Sequence, residues 1–229
     1  MIIYKLKKVK STQDYAKRLI KKHGPRREDF VVIAQCQTGG KGTKGRSFSS
    51  KPGGAYLTAV TFHTAKGGDK CFEVNKSSAM AVIKSLLAFD VKGGIKWPND
   101  VFVNGKKICG MLIENTFIGQ YMDYSMVGVG VNVNNDLPDE LKDIAISLKD
   151  VLGREISLSS FVATLIYNLQ NPEDLGLYAD YSIILGKNIT VTRPNGEVFS
   201  ACAKEILPDG RLLLDSGEVL TAAEISVRL

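Results

Sequence analysis

A glycine-rich segment at residues 37–48 combines backbone freedom with positive charge. Four glycines and three cations lie between Gly39 and Arg46. Glycine lets the backbone adopt positive φ and approach a ligand closely, and free N–H groups beside lysine and arginine can hold a phosphate or another anion. No Asp or Glu occurs from Phe30 to Gly68, so no nearby acid neutralises these cations. The segment therefore predicts either a loop that binds a polyanionic ligand or a solvated, mobile glycine loop.

Two phosphate-binding patterns nearly match this segment. Three of its glycines have the G-x-G-x-x-G spacing of a dinucleotide fold, and residues 40–47 resemble a P-loop with Arg46 in place of the lysine. Both patterns require a helix directly afterwards, and arginine does not substitute for that lysine. The following residues instead predict a turn and then a strand over residues 55–62. We therefore expect the loop to join two strands.

A second polar segment lies at residues 95–114. A lysine, the only tryptophan and a Pro-Asn-Asp turn adjoin one another in Lys96–Asp100, and proline there favours a turn over a central strand. Asn104-Gly105 is a strong hairpin signal between two strands. Core packing would account for Trp97, but the polar residues beside it indicate a binding role at one edge of a sheet.

A polar corner is predicted where the first strand meets the first helix. Alternating residues predict a strand over residues 2–9, and Ser11 is a suitable N-cap for a helix that ends at Gly24-Pro25. Residues 11–13 then offer hydroxyls and free N–H groups to a ligand. An ordinary helix cap would account equally well for Ser11.

A strand without side chains on part of one face is predicted over residues 124–133. Gly128 and Gly130 are two residues apart and so share a face, with Asn132 following on it. Either a closely packed helix or a flat ligand would cover this bare face.

Composition narrows the class of protein. The chain has 229 residues, a net charge of +6 and 44% hydrophobic residues, as expected for a soluble globular protein without a membrane span or signal peptide. Four widely spaced cysteines and two histidines disfavour a zinc site or disulfides and favour a cytosolic protein with reduced thiols. Because the excess charge gathers at the glycine segment, a local anion site is favoured over a nucleic-acid-binding face.

The remaining segments predict a helical framework followed by a small β domain. Helical spacing predicts a long helix ending near Leu87, a short one over 147–152, and further helices over 157–169 and 172–184. From Gly186 onward, short strands separated by Pro-Asn-Gly, Pro-Asp-Gly and Ser-Gly turns indicate a small β-barrel. We expect a catalytic domain at residues 1–185 and a barrel at 186–229.

Together these segments resemble the biotin–protein ligase family over the whole chain. The family motifs are a Ser-Thr-Asn corner, a G-R-G-R-x-G-R-x-W loop, K-W-P-N-D, a G-K-K-h-x-G-h-L-h-E strand and G-h-G-h-N, where h is apolar. In the same order the sequence has Ser11-Thr12-Gln13, residues 40–48, Lys96–Asp100, residues 105–114 and residues 128–132.

The resemblance implies a fold and an activity. The fold would be α+β, with a mixed, mainly antiparallel sheet and helices of the class II synthetase-like type, plus a C-terminal SH3-like barrel. Biotin and Mg-ATP would give biotinyl-5'-AMP and pyrophosphate, and a lysine of a biotin carboxyl carrier domain would then accept biotin. A monofunctional, cytoplasmic ligase without the family's optional DNA-binding domain is expected; a homodimer is possible.

The resemblance also assigns residues by position. Lys107 would bridge the biotin carboxylate and the α-phosphate as the main catalytic residue, while Lys41 and Arg46 would hold phosphates. Phe48 and Trp97 would cover the adenine, and Mg²⁺ would arrive with the phosphates without a protein metal site. The biotin pocket would comprise Ser11, Thr12, Gln13, Gln37, Gly40, Lys41, Lys107 and Gly110. The ATP site would comprise Lys41, Thr43, Lys44, Arg46, Phe48, Lys96, Trp97, Asn99 and Asn132.

Three departures from the family pattern fall in the glycine loop. Lys41 and Thr43 stand where the family has arginines, and Phe48 stands where it has tryptophan. Loss of bidentate guanidinium contacts predicts a weaker hold on the adenylate. A lipoate ligase, which shares the fold and the adenylate chemistry, is the alternative interpretation.

Overall fold

A computed structural model describes residues 1–23, 27–63, 70–221 and 226–228. Its main feature is a seven-stranded sheet in the spatial order β1-β2-β3-β7-β6-β5-β4, in which β1 and β2 are parallel and the other neighbours antiparallel. This confirms the expected mixed, mainly antiparallel sheet. The strands are β1 Ile2–Val9, β2 Phe30–Gln37, β3 Ala55–Phe62, β4 Gly94–Lys96, β5 Asp100–Val103, β6 Lys106–Ile118 and β7 Tyr121–Val131.

Helices cover both faces of this sheet. Helix α1 (Thr12–His23) packs Ala16 and Leu19 against one face, beside Val32 and Met126. Helices α2 (Lys70–Leu87) and α4 (Leu158–Gln170) pack on the other face, where the large apolar core lies. Helix α1 ends at His23, and the predicted Gly24-Pro25 stop lies outside the described residues.

Local sequence signals fix several of these elements. Asn104 and Gly105 both have positive φ, 51° and 75°, and they close the hairpin between β5 and β6 as predicted. Ser147 caps the short helix α3 (Leu148–Leu152) through a capping box with Asp150. Gly153 ends that helix in the left-handed conformation.

The helix predicted over residues 172–184 is wrong. Only a 3₁₀ turn forms there, at Leu175–Tyr178, after Asp174 adopts a left-handed φ of 58°. The chain then runs beside β4, where Ile95 N donates to Tyr181 O at 2.7 Å and Ile183 N donates to Ile95 O at 2.9 Å. Pairing with the edge of the sheet replaces the intrahelical bonds that the apolar spacing predicted.

A second, five-stranded antiparallel sheet follows, in the order β11-β10-β9-β8-β12. Its strands are β8 Asn188–Thr192, β9 Val198–Ile206, β10 Leu212–Leu214, β11 Val219–Leu220 and β12 Ser226–Arg228. Gly196, Gly210 and Gly217 turn the chain with φ of 86–89° at the predicted turns. Sequence patterns missed the short β12. The domain boundary at residue 185 stays a prediction.

No helix in the described part of the chain is long and apolar enough to cross a membrane. All four cysteines are free thiols, as expected. Cys109 is fully buried, and burial raises the pKa of its thiol.

Candidate active site

A cavity lies on the α1 face of the sheet, where the strand-to-helix corner, the β2–β3 loop and the β6 and β7 strands meet. Its free volume is about 40 Å³, whereas ligand sites usually measure about 300–1,000 Å³. A ligand of ordinary size therefore requires a movement of the cavity wall. The lining residues that the sequence analysis had selected are Ser11, Thr12, Gln13, Gln37, Lys41, Thr43, Phe48, Lys107, Gly110, Gly128 and Gly130.

The polar corner predicted at residues 11–13 forms one wall of the cavity. The Asp14 N–H donates to Ser11 Oγ at 3.4 Å at the start of α1. Thr12 donates to Gln37 Oε1 through its backbone N–H at 2.8 Å and through its hydroxyl at 3.1 Å. Long-range hydrogen bonds therefore join the corner to the end of β2 and fix its polar groups beside the cavity.

Thr58 supports this corner from β3 and was missed by the sequence analysis. Its buried hydroxyl lies 2.9 Å from Thr12 Oγ1 and 3.1 Å from Gln13 Oε1. The only signal in the sequence is that Thr58 carries a hydroxyl, whereas its neighbours in β3, Leu57 and Ala59, are apolar. Without a known pairing of strands, that signal could not show which face of the sheet Thr58 occupies.

Lys107 extends from the start of β6 into the cavity. Its ammonium group lies 2.7 Å from Asp100 Oδ1 across the β5–β6 pair, and both side chains are about one-third exposed. The backbone of Lys107 is bonded on both sides to the segment after β7: its N–H donates to Ile144 O at 2.9 Å, and its carbonyl accepts from Ile146 N at 3.0 Å. A lysine held in this way can present charge to an anion at a defined position.

Three glycines form a floor without side chains, and the Phe48 ring covers it. A Cβ at Gly130 would lie 2.6 Å from the Phe48 ring, and one at Gly110 would lie 3.1 Å from the same ring and 3.0 Å from the end of Lys107. A Cβ at Gly128 would lie 2.7 Å from Gln13 Oε1. The bare face predicted from Gly128 and Gly130 is therefore covered by side chains, and the Phe48 ring occupies space that a flat ligand could take.

The β2–β3 loop folds back on itself around a 3₁₀ turn at Thr43–Gly45. Phe48 N donates to Gly40 O at 2.9 Å, and Gly42 N donates to Arg46 O at 2.7 Å. This confirms that the loop joins two strands, as expected, with no helix of the P-loop type.

The cations of this loop have different positions. Lys41 lines the cavity and pairs with Asp14 at 2.6 Å. Arg46 is exposed and is not among the residues that line the cavity, and the side chain of Lys44 lies outside the description. Gly40 lines a separate hollow on the outer side of the loop. Thus Lys41 alone of the three predicted loop cations contacts the cavity among the described side chains.

Several residues predicted for the nucleotide lie away from the cavity. Trp97 is only 3% exposed, packs with the C-terminal sheet and donates from Nε1 to Gly210 O at 2.9 Å. Lys96 lies over the Phe102 ring at 5.2 Å. Because the second sheet covers its indole, Trp97 is a core residue, which was the alternative to the predicted binding role.

The two asparagines predicted to contact the nucleotide make internal hydrogen bonds. Asn99 Nδ2 donates to Met111 O at 2.9 Å, and buried Asn132 accepts from Asn135 at 3.1 Å. Their roles toward a nucleotide stay predictions.

Glu114 links α1 to β6 through Gln13, which lines the cavity. Gln13 Nε2 donates to its carboxylate at 2.8 Å, and Lys17 Nζ lies 2.9 Å from it. Burial by itself raises the pKa of Glu114, but the hydrogen bonds from Lys17 and Gln13 outweigh this effect and leave the pKa below its ordinary value. The carboxylate is therefore ionised at neutral pH and holds Gln13 in place.

The fold and this arrangement of residues define the class of protein. The chain belongs to the biotin/lipoate A/B protein ligase family, whose model matches residues 6–132. That match covers the corner, the glycine loop, the Lys-Trp-Pro-Asn-Asp segment, Lys107 and the glycine floor.

Individual relatives agree with this assignment. The chain is 31% identical over 223 residues to the bifunctional ligase/repressor BirA of Bacillus subtilis (strain 168), covering 91% of this chain and 67% of the relative. It is 27% identical over 204 residues to the biotin--[acetyl-CoA-carboxylase] ligase of Mycobacterium tuberculosis, covering 83% of this chain and 74% of the relative. The biotin protein ligase of Aquifex aeolicus, solved in complex with biotin and ATP, has the same fold, with a TM-score of 0.81 at 22% identity over 99% of this chain and 98% of that chain.

Proposed function

We propose that this protein is an ATP-dependent biotin–protein ligase. The carboxylate of biotin attacks the α-phosphorus of ATP, the bond to the β-phosphate breaks, and biotinyl-5'-AMP and pyrophosphate form. The ε-amine of a carrier lysine then attacks the biotinyl carbonyl, and AMP and a proton leave. The observation that carries this proposal is one cavity that contains both a fixed polar corner at Thr12 and Gln37 and a lysine, Lys107, beside a glycine floor.

The first step gathers negative charge at the reacting atoms. Attack of a carboxylate on a phosphate is favoured by cations that are already in place, and a preorganised charge is worth more than one that must reorganise. Lys107 and Lys41 are such groups, each now paired with an acid, Asp100 and Asp14 respectively. Binding of the anionic substrates would exchange these partners for the carboxylate and the phosphates.

Polar recognition of biotin would use the corner. Ser11, Thr12 and Gln37 offer hydroxyl and amide groups to the polar ring, and the glycine floor accommodates the flat part of the ligand. Because the free volume is small, we expect the Phe48 ring to move off Gly110 and Gly130 when the ligand enters.

Mg²⁺ would be carried by the phosphates of ATP. In the described parts of the chain, no three His, Cys, Asp or Glu side chains lie close enough together to hold a metal ion. Mg²⁺ commonly retains waters and uses substrate phosphates with one or two carboxylates. Asp100, which lines the cavity, would be able to supply a carboxylate to such an ion.

The partner in the second step would be a carrier domain of a biotin-dependent carboxylase. The decisive experiment is pyrophosphate release from ATP with biotin, and biotin transfer with an added carrier domain. Release that depends on biotin, followed by labelling of the carrier, is the expected result. Release with lipoate but not with biotin would instead identify a lipoate ligase, and no release with either acid would contradict the proposal.

A further inference from the structure

Gln37 has an amide whose orientation is fixed at both ends. Its Oε1 accepts from the N–H and hydroxyl of Thr12, and its Nε2 donates to Ser50 Oγ at 2.9 Å. Since a backbone N–H can only donate, the oxygen must face Thr12 and the nitrogen must face Ser50. The second hydrogen of Nε2 is then available to an acceptor on a ligand in the cavity that Gln37 lines.

Ser50 connects this amide to the residue that covers the glycine floor. Its hydroxyl accepts from Gln37 and donates to the carbonyl of Phe48 at 3.2 Å, and its own carbonyl accepts from Gln37 N at 3.1 Å. Ser50 is 5% exposed and is not among the residues that line the cavity. It therefore holds two lining residues in a fixed relation without forming part of the lining.

The surroundings of Ser50 make this connection rigid. A Cβ at Gly40 would lie 2.7 Å from Ser50 Oγ and 2.5 Å from Phe48 O. The loop backbone at Gly40 thus passes directly against the hydroxyl and the carbonyl that it bonds. The close approach of the Gly40 backbone and the hydrogen bonds of the Ser50 hydroxyl together restrict how Phe48 can shift relative to Gln37.

We propose that Ser50 is a positioning residue that couples recognition of the acid by Gln37 to the position of Phe48. This inference rests on the proposed function. A ligand that engages the amide of Gln37 acts through Ser50 on the carbonyl of Phe48, so binding of the acid and the movement of the Phe48 ring off the glycine floor occur together. Loss of the hydroxyl separates the two events.

The test compares Ser50→Ala, Ser50→Thr and the neighbouring Ser49→Ala as a matched control. Loss of one net hydrogen bond of ordinary strength corresponds to a change of about tenfold. We expect Ser50→Ala to raise the KM for biotin and the dissociation rate of biotinyl-5'-AMP by about tenfold, with the KM for ATP changed less than about twofold. Ser50→Thr, which retains the hydroxyl, and Ser49→Ala should both stay near the wild type.

Three outcomes would overturn the inference. The first is a KM for biotin in Ser50→Ala equal to that of the wild type. The second is a parallel rise of both KM values with a lower melting temperature, which indicates general loss of structure. The third is equal impairment in Ser50→Thr and Ser50→Ala at unchanged melting temperature, which indicates packing. Calorimetry of the wild type with biotin and with lipoate comes first: binding of neither acid contradicts the proposed function itself.

Discussion

At the scale of single residues, the site is defined by paired charges. Lys107 pairs with Asp100 and Lys41 pairs with Asp14 around a cavity in a chain of net positive charge. Partly exposed pairs of this kind contribute little to stability, about 0–1 kcal/mol. Their arrangement is therefore better explained by the anions that the lysines would bind than by folding.

Replacement of Lys107 tests its catalytic role. We expect Lys107→Ala to lower the rate of adenylate formation by at least about a hundredfold, because the preorganised charge is lost, while the fold persists. Lys106→Ala is the matched control, since Lys106 donates to the Lys142 carbonyl instead. Pyrophosphate release and circular dichroism measure the two properties. Retained activity in a folded Lys107→Ala protein would contradict the assignment.

Substitution of Thr43 tests how the β2–β3 loop holds biotinyl-5'-AMP. Thr43 lines the cavity where the family pattern has arginine, so Thr43→Arg should add charge-assisted hydrogen bonds and slow the release of biotinyl-5'-AMP by about tenfold. Thr38→Arg adds the same charge in the outer hollow and serves as the control. A stopped-flow chase with excess ligand measures release. Equal retention of the intermediate by the wild type and Thr43→Arg would refute the prediction.

At the scale of elements, the site depends on two strands, β6 and β7, that have glycines where they face the cavity. Gly130→Ala would bring a Cβ to 2.6 Å from the Phe48 ring and must displace it. We expect at least about a tenfold loss of biotin affinity, because the added methyl group takes up part of the bare floor on which the flat part of the ligand would lie. Gly176→Ala is the control, because a Cβ there meets no atom within 4 Å. Calorimetry showing unchanged affinity for Gly130→Ala would contradict this view of the floor.

The contact between α1 and β6 should depend on pH through Glu114. Its pKa in the folded protein lies below the ordinary value of 4.5, so its stabilising effect is present above that pH and is lost as the pH falls through the lower, folded value. Urea denaturation should show Glu114→Gln to be less stable than the wild type at pH 7, with the difference vanishing in acid. Glu140→Gln, outside this network, is the control. A difference that stays constant with pH would contradict the prediction.

Local signals predicted the elements well where they act within a few residues. Asn104-Gly105 specifies its turn through positive φ, and Ser147 caps α3 with the carboxylate three residues on. The helix prediction for residues 172–184 failed because the hydrogen-bond partner of this segment, Ile95, is distant in sequence. The same reason applies to Thr58 and Ser50, whose partners Thr12 and Gln37 lie 46 and 13 residues away in the sequence.

At the scale of the whole molecule, the two sheets are joined at Trp97. Its indole packs with Ile184 and the strands of the second sheet and donates to Gly210 O. The polar residues of the Lys-Trp-Pro-Asn-Asp segment, which ends in Asp100, indicated a site, but nothing in the sequence showed that the indole turns toward the second sheet. The motif therefore has two parts, of which one packs and the other faces the cavity.

Trp97→Phe tests this junction. The change removes the hydrogen bond and leaves the Gly210 carbonyl without that donor, so we expect a loss of about 1–3 kcal/mol in the free energy of unfolding. Tyr167→Phe changes an exposed ring and is the control. Urea denaturation followed by circular dichroism measures both. An unfolding free energy equal to that of the wild type would show that the junction does not depend on this bond.

The alternation of side chains along β7 has a consequence for engineering the substrate range. Val127, Val129 and Val131 belong to the large apolar core, whereas Gly128 and Gly130 face the cavity. From residue 127 to residue 131, the odd-numbered side chains of β7 therefore build the core, and the even-numbered positions face the cavity. A mutant library restricted to the cavity-facing positions of β3, β6 and β7 could explore larger or smaller carboxylic acids while leaving the hydrophobic interior intact.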